Sequence, residues 1–281
     1  MNKWTKLFMV SVLAVASLLT VTSCSTSNKP NKPNKPAETI KVGYTPLKTA
    51  GSTRNVAATG KNALYTKPGT VKGAKRVASK SKMAKFASYT GADAKYYYFN
   101  RMNHAYKGST YYFRAYGYKI THTGSVYYRV VTMNGYYRGY VYGGKKVGSF
   151  AGGVKKAATT QATTIPANFK DYVGIVIPGT VWNYPPYTQY KTKRLGKVNW
   201  TIPSLAKFKV IKAVKRTREQ DIYYYLEPQN NPAPPDFPFR TPSGVRINKR
   251  SQYIPVPSGW VSAQYVISYS EIENNQGIID N

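Results

Sequence analysis

Arginine and tyrosine alternate along two neighbouring stretches of this 281-residue chain: Tyr127-Tyr128-Arg129, then Tyr136-Tyr137-Arg138-Gly139-Tyr140-Val141-Tyr142, with Lys145 and Lys146 close behind. A guanidinium pairs two oxygens of a phosphate or carboxylate at once. A phenol ring offers a flat apolar plate on which bases or the C–H faces of sugars stack. The chemistry of such stretches is binding. Bond-breaking residues are scarce by comparison. His104 and His122 are the only histidines, lie 18 positions apart and belong to no metal motif, and Cys24 is the only cysteine. Asp93, Asp171, Glu219, Asp221 and Glu227 show no spacing of an acid–base pair. Many hydrolases rely on paired carboxylates, a zinc ligand cluster or an activated Cys/His nucleophile. The chain is expected to be no enzyme, with no catalytic residues, no metal and no cofactor.

A β-hairpin must position these side chains. Asn134-Gly135 sits between two β-branched and aromatic runs, a pair suited to a two-residue loop because both tolerate positive φ. That loop fixes a register in which Met133 faces Tyr136, Val131 faces Arg138, Arg129 faces Tyr140 and Tyr127 faces Tyr142. Opposed residues share a face, and faces alternate along a strand. Val126, Tyr128, Val130, Tyr137 and Val141 then form a core face. The other face carries the candidate binding residues Tyr127, Arg129, Tyr136, Arg138, Tyr140 and Tyr142, continuing into Lys145 and Lys146. A blander reading makes Tyr127 or Tyr142 filler of a second layer, with Arg129 and Arg138 as solvated charges that discourage aggregation.

The pattern recurs later in the chain. Pro68-Gly69-Thr70-Val71 reappears as Pro178-Gly179-Thr180-Val181. Tyr112 to Tyr116, followed by Val126-Tyr127-Tyr128, is echoed by Lys207 to Ile211, followed by Ile222-Tyr223-Tyr224. Gly139-Tyr140-Val141 is echoed by Gly259-Trp260-Val261. Three matches in one order point to a duplicated module with unequal loops. In the second copy Ile222, Tyr224 and Leu226 take the core positions, and Tyr225 corresponds to Arg129. Its candidate binding residues are Tyr223, Tyr225 and Trp260, leaning more on stacking than on phosphate. The first repeat is assigned to residues 61–158 and the second, diverged repeat to 171–267, with a linker over 159–170. A proline-rich insertion occupies 228–257, where proline cannot donate to a sheet ladder. An acidic tail covers 268–281. The basic cluster Lys72, Lys75, Arg76, Lys80, Lys82 and Lys85 fits a short helix as well as a loop or strand.

The amino terminus carries an address. Lys3 and Lys6 precede an apolar run from Leu7 to Val21, short for a membrane span and suited to a signal-peptide core. It ends in Val21-Thr22-Ser23-Cys24, which resembles the lipobox of bacterial lipoproteins. The resemblance implies removal of residues 1–23 and lipidation of Cys24. Residues 24–60 are expected to form an extended, disordered stalk, since Asn-Lys-Pro repeats three times through Pro36 and such prolines hold a chain extended. Charge is the dominant compositional fact, with 42 Lys+Arg against 10 Asp+Glu and a formal net charge of +32. Behind an export signal, this excess points to wall polyanions rather than to nucleic acid.

Gly124-Ser125-Val126-Tyr127-Tyr128-Arg129-Val130-Val131, continuing through Asn134-Gly135 to Arg138-Gly139-Tyr140-Val141-Tyr142-Gly143-Gly144-Lys145, resembles the surface-layer (S-layer) proteins of lactobacilli. The likeness runs from about Leu64 to Ala158, with a weaker copy to about Ile267. It implies a mostly all-β chain with two SH3-like β-barrel repeats, attached noncovalently to cell-wall polymer. The chain departs from that family in carrying a lipobox and in leaving little room for a lattice-forming domain. The expected partners are anionic or neutral wall polysaccharide and, through the lipid, the membrane on the extracellular face of a Gram-positive cell. Self-association into a lattice, contact with other surface proteins and adhesion to host matrix are the alternatives.

Overall fold

The computed structural model describes residues 37–88, 107–175, 179–197, 207–229, 239–240, 246–247 and 256–271. The signal peptide, Cys24, the Asn-Lys-Pro repeats, Asp93, His104 and most of the acidic tail lie outside these residues. The folded unit begins at Ala37.

The chain is mostly β, as expected. Short runs of β-branched and aromatic residues bounded by Gly, Pro and Asn form strands, and these gather into two eight-stranded sheets. The first contains β1 (Ile40–Pro46), β2 (Asn55–Ala58), β3 (Leu64–Tyr65), β4 (Arg76–Ala78), β5 (Phe113–Thr121), β6 (Val126–Thr132), β7 (Arg138–Tyr142) and β8 (Val154–Lys156). The second contains β9 (Thr160–Ala162), β10 (Val173–Ile175), β11 (Thr180–Trp182), β12 (Arg194–Lys197), β13 (Phe208–Arg216), β14 (Ile222–Pro228), β17 (Gly259–Ser262) and β18 (Val266–Ser268). A small ribbon of β15 (Phe239–Arg240) and β16 (Arg246–Ile247) lies within the proline-rich insertion.

The two sheets have the same strand order. The first runs β4-β3-β7-β6-β5-β2-β8, with β1 also on β5; the second runs β12-β11-β17-β14-β13-β10-β18, with β9 also on β13. Register makes the equivalence residue by residue. Phe113 pairs with Val56 as Phe208 pairs with Val173, and Val130 pairs with Gly139 as Leu226 pairs with Gly259. Two of the three sequence matches therefore fall on equivalent positions. The Pro-Gly-Thr-Val match does not. Thr180 and Val181 belong to β11, whose counterpart β3 ends at Tyr65, before Thr70 and Val71 reach their turn. A Pro-Gly pair marks any turn and carries no register.

Two segment assignments are corrected. The expected stalk 24–60 contains β1 and β2, both paired to β5. Val56, Ala57 and Ala58 are buried, and a strand covered on both faces shows no alternation to read. The expected linker 159–170 contains β9, which pairs Thr160, Gln161 and Ala162 with Arg216, Lys215 and Val214, and a 3-10 turn at Ala167–Phe169. Its Thr- and Ala-rich composition conceals an edge strand.

Each sheet covers one core. In the first, Val126, Tyr128, Val130 and Val141 pack with Val56, Leu64, Phe113 and Phe150, as alternation along the hairpin required. The basic cluster resolves into the turn before β4, the first residue of β4 and a helix, α1 (Lys80–Ala87). Ser79 caps α1 by accepting the Lys82 N–H at 3.1 Å, which satisfies one of the unpaired amides of the first turn. Met83 and Phe86, three apart, are its buried residues, and Phe86 meets the rings of Tyr111 and Tyr137 at 4.7 and 4.9 Å.

Candidate functional site

The hairpin register is the one expected: Tyr127 opposes Tyr142, Arg129 opposes Tyr140 and Val131 opposes Arg138. The turn differs. Thr132 donates to the Tyr137 carbonyl at 2.9 Å and Gly135 donates to Thr132 at 2.8 Å, so the loop spans four residues rather than two. Only Gly135 of the Asn-Gly pair has positive φ, at 85°. Asn134 instead accepts from the Thr132 hydroxyl and the Tyr136 N–H through its side-chain oxygen. One residue added on each side leaves the register unchanged. Met133 is drawn away from Tyr136, its N–H donating to the Tyr112 carbonyl at 3.0 Å and its side chain packing with Tyr112 and Ala57.

Across the sheet, the face opposite the core carries rows set by strand pairing. In the central row Gly117 of β5 faces Arg129 of β6, which faces Tyr140 of β7, which faces Tyr65 of β3. Gly117 leaves room for a ring. A Cβ there would lie 2.2 Å from Tyr44, so the β1 tyrosine covers this bare position. A shift of register between Ala115 and Gly117 bulges Tyr116 out of the ladder, and bulges re-aim side chains. The Arg129 guanidinium lies over the rings of Tyr116, Tyr44 and Tyr140 at 5.4, 5.7 and 5.8 Å. Arg138 lies over Tyr116 at 5.5 Å and Tyr190 at 5.9 Å, and it donates to the Tyr190 hydroxyl at 2.8 Å. Lys119 stands 5.6 Å from the Tyr140 ring. Among the described residues, no carboxylate lies within 4.0 Å of Arg129 or Arg138. Tyrosine faces steady these cations without neutralising them.

The sequence-derived residues divide. Arg129, Arg138 and Tyr142 are half-buried or exposed and lie together on this face. Tyr127 and Tyr140 are only 7% and 6% exposed. Tyr127 makes an edge contact with Tyr142 at 5.7 Å and a 3.3 Å hydroxyl contact with Thr70, so it fills the second layer that the blander reading gave it. Burial pushes the phenols of Tyr127 and Tyr140 above their ordinary pKa, with Arg129 pulling Tyr140 partly back. Tyr136 sits in the loop, 84% exposed and apart from the rows. Lys145 is exposed, but its ammonium donates to the Thr123 carbonyl and the Ser125 hydroxyl at 2.8 and 2.9 Å. Lys146 is exposed.

In the second sheet the equivalent row is Lys212, Tyr225, Trp260, Trp182 and Arg194. Tyr225 and Trp260 are half-buried and meet at 5.5 Å with ring planes at 71°. Arg194 lies 5.9 Å from the Trp182 ring. Tyr223, 6% exposed, packs beneath the Arg216 guanidinium at 5.3 Å, which removes it from the accessible surface.

The site is composite. Tyr190 comes from the loop between β11 and β12, so the second sheet supplies a wall to the first sheet's face. Arg114, on the same row as Val131 and Arg138, donates to Asn55 at 3.0 Å and to Gln189 of that loop. Asn55 donates to the Thr188 carbonyl at 3.1 Å. Sequence reasoning missed Tyr44, Tyr116, Tyr190, Trp182 and Arg194. Tyr44 lay in the presumed stalk, and nothing local ties Tyr190 to Arg138. The Tyr116-Gly117 pair in a strand was a readable bulge signal.

No family model and no curated protein matches the chain. Among solved structures it is similar to a protein assigned as an autolysin, from Listeria monocytogenes, at 13% identity and a TM-score of 0.27. The match covers 82% of this chain and 66% of that one, and at that score it carries no argument about fold or function.

Proposed function

We propose that this chain is a non-catalytic, lipid-anchored surface protein that holds anionic wall polysaccharide on the composite Tyr/Arg face. The observation that carries the reading is the pair Arg129 and Arg138, ringed by Tyr44, Tyr116, Tyr140 and Tyr190 with no carboxylate partner among the described residues. Guanidinium groups fixed in this way are set for phosphate oxygens, and the rings beside them for sugar faces. The overall excess of cations supports a polyanionic partner, and the resemblance to S-layer proteins supports a wall polymer. The lipobox-like segment supports attachment at Cys24.

The test is cosedimentation of the protein with purified wall fragments over a salt series, before and after teichoic acid is stripped. Counterion release makes binding to a phosphate polymer fall steeply with salt. Arg129→Ala with Arg138→Ala is expected to abolish most pelleting at low salt. Undiminished pelleting of that variant, or of the wild type on stripped walls, refutes the phosphate reading.

A further inference from the structure

One strongly charged surface lies beyond the polymer face and meets it only at Arg76, which pairs with Tyr65 at the rim of the central row. Between Lys61 and Lys85 stand eight cations and no acid: Lys61, Lys67, Lys72, Lys75, Arg76, Lys80, Lys82 and Lys85. All eight are exposed. Lys61 precedes β3; the other seven run from the β3–β4 turn along β4, which is the edge strand of the first sheet, and onto α1. Edge lysines guard a strand against unwanted pairing, which accounts for Lys75 and Arg76. It accounts neither for Lys67 and Lys72 in the turn nor for Lys80, Lys82 and Lys85 on a helix.

The amino-terminal chain enters the fold beside this surface. Glu38 forms a parallel bridge with Val71, and its N–H donates to the Thr70 carbonyl at 2.9 Å. Its carboxylate accepts the hydroxyls of Thr70 and Thr123 at 2.7 and 2.8 Å. The described chain therefore begins, at Ala37 and Glu38, next to the turn that holds Lys67, Lys72 and Lys75. If lipid on Cys24 tethers the chain, the end of the molecule turned to the bilayer is the cationic one.

From this juxtaposition we infer that the ridge formed by the β3–β4 turn, β4 and α1 is a docking surface for anionic lipid headgroups. The inference rests on the lipid-anchor reading, and it gives the tethered protein a fixed orientation. The ridge lies against the membrane, and the opposite edge strand of the first sheet, β8, points away. Each cation close to an anionic leaflet multiplies surface residence roughly fivefold at moderate salt, and the attraction decays within a Debye length. Several cations on a rigid edge therefore choose one face.

The test uses the full lipidated chain in vesicles of phosphatidylcholine, with and without phosphatidylglycerol, and reads lysine acylation rates by mass spectrometry. Lys72, Lys75, Lys80, Lys82 and Lys85 are expected to react severalfold more slowly on the anionic vesicles, with the difference lost at high salt. Lys155 and Lys156, exposed on β8, serve as the reference and are expected not to change. Equal rates on the two vesicle types overturn the inference, as does equal protection of Lys155 and Lys156. Protection of the ridge by soluble polyglycerol phosphate without vesicles, to the same degree, assigns the surface to the polymer and also overturns it. Flotation with pure phosphatidylcholine reports the lipid anchor alone, so failure there overturns the anchor and is distinguishable from failure of the ridge.

Discussion

Glu219→Ala tests how the two sheets are joined. The β13–β14 turn of the second sheet presses against residues 108–112 of the first. Glu219 accepts the Ser109 N–H at 2.5 Å and the Ser109 hydroxyl at 2.6 Å, and its carboxylate lies 3.5 Å from the Arg216 guanidinium. Arg216, 0% exposed, is forked onto Asp221 at 2.7 and 2.6 Å and donates to the Pro186 carbonyl at 3.1 Å. Arg218 donates to the Gly108 carbonyl at 2.7 Å and lies 4.0 Å from the Tyr112 ring. Breaking a buried pair by removing one partner costs about 3–5 kcal/mol. Here Arg216 keeps Asp221 and Pro186, which favours the lower end. A second route agrees: two hydrogen bonds to a charged acceptor contribute about 1.5–3 kcal/mol each. We therefore expect Glu219→Ala to lower stability by about 3 kcal/mol, or a Tm loss of roughly 6–12 °C for a chain of this size. Urea unfolding measures it, and a double-mutant cycle with Ser109→Ala isolates the cross-sheet term at about 1.5–3 kcal/mol. A cost below about 1 kcal/mol, or additive single changes, refutes the assignment of this cluster as the join.

Other expectations follow from packing and protonation. At Gly143 an added Cβ would lie 2.1 Å from the buried Tyr128 ring, so Gly143→Ala should cost about 1–3 kcal/mol by overpacking. Gly43→Ala in β1, with nothing within 4 Å, should stay within about 0.5 kcal/mol; equal melts for the two variants contradict the packing. Burial raises the phenol pKa values of Tyr112, Tyr127, Tyr128, Tyr140 and Tyr224 above 10.0. The folded state then keeps protons that the unfolded chain releases. That stabilisation is complete below pH 10 and is lost as pH rises through the raised values. Tyrosinate absorbance from these residues should appear together with loss of tertiary structure, and a titration completed while the fold persists disproves it.

What the sequence made legible was what two-residue periodicity encodes. Val126, Tyr128, Val130 and Val141 fall on one face once the turn sets the register, and both their burial and their register could be written down directly. Asn134-Gly135 located the turn but not its length, because the pull of Tyr112 on Met133 comes from a residue 21 positions away. Strands of three or four residues escaped, since Val56-Ala57-Ala58 and Thr160-Gln161-Ala162 are too short to show a period. The composite wall escaped for a different reason. Tyr190 meets Arg138 across the boundary between repeats, and no local pattern announces a contact between two sheets. Face assignment failed where a face was covered twice, at Tyr127, Tyr140 and Tyr223, and at Tyr136, which the four-residue loop takes out of the rows.

The duplication itself explains why one face was easier to read than the other. Equivalent core positions hold similar volume and polarity: Phe113 and Phe208, Tyr128 and Tyr224, Val130 and Leu226, Val141 and Val261. A close-packed interior resists change at such sites. The outer rows answer to no such demand, and there the copies part. Arg129 is replaced by Tyr225, Tyr140 by Trp260 and Tyr65 by Trp182, while the arginine at the rim persists as Arg76 and Arg194. The rings at β7 and β3 survive as rings at β17 and β11, but the cation at the centre of the row is gone. A central guanidinium holds an oxyanion; a row of aromatic rings with its arginine at the rim holds an apolar face beside one. The two sheets thus present unlike chemistry from one plan. On the binding proposed above, a polymer carrying both sugar rings and charged links would give each sheet something to grip, which a homogeneous polyanion would not.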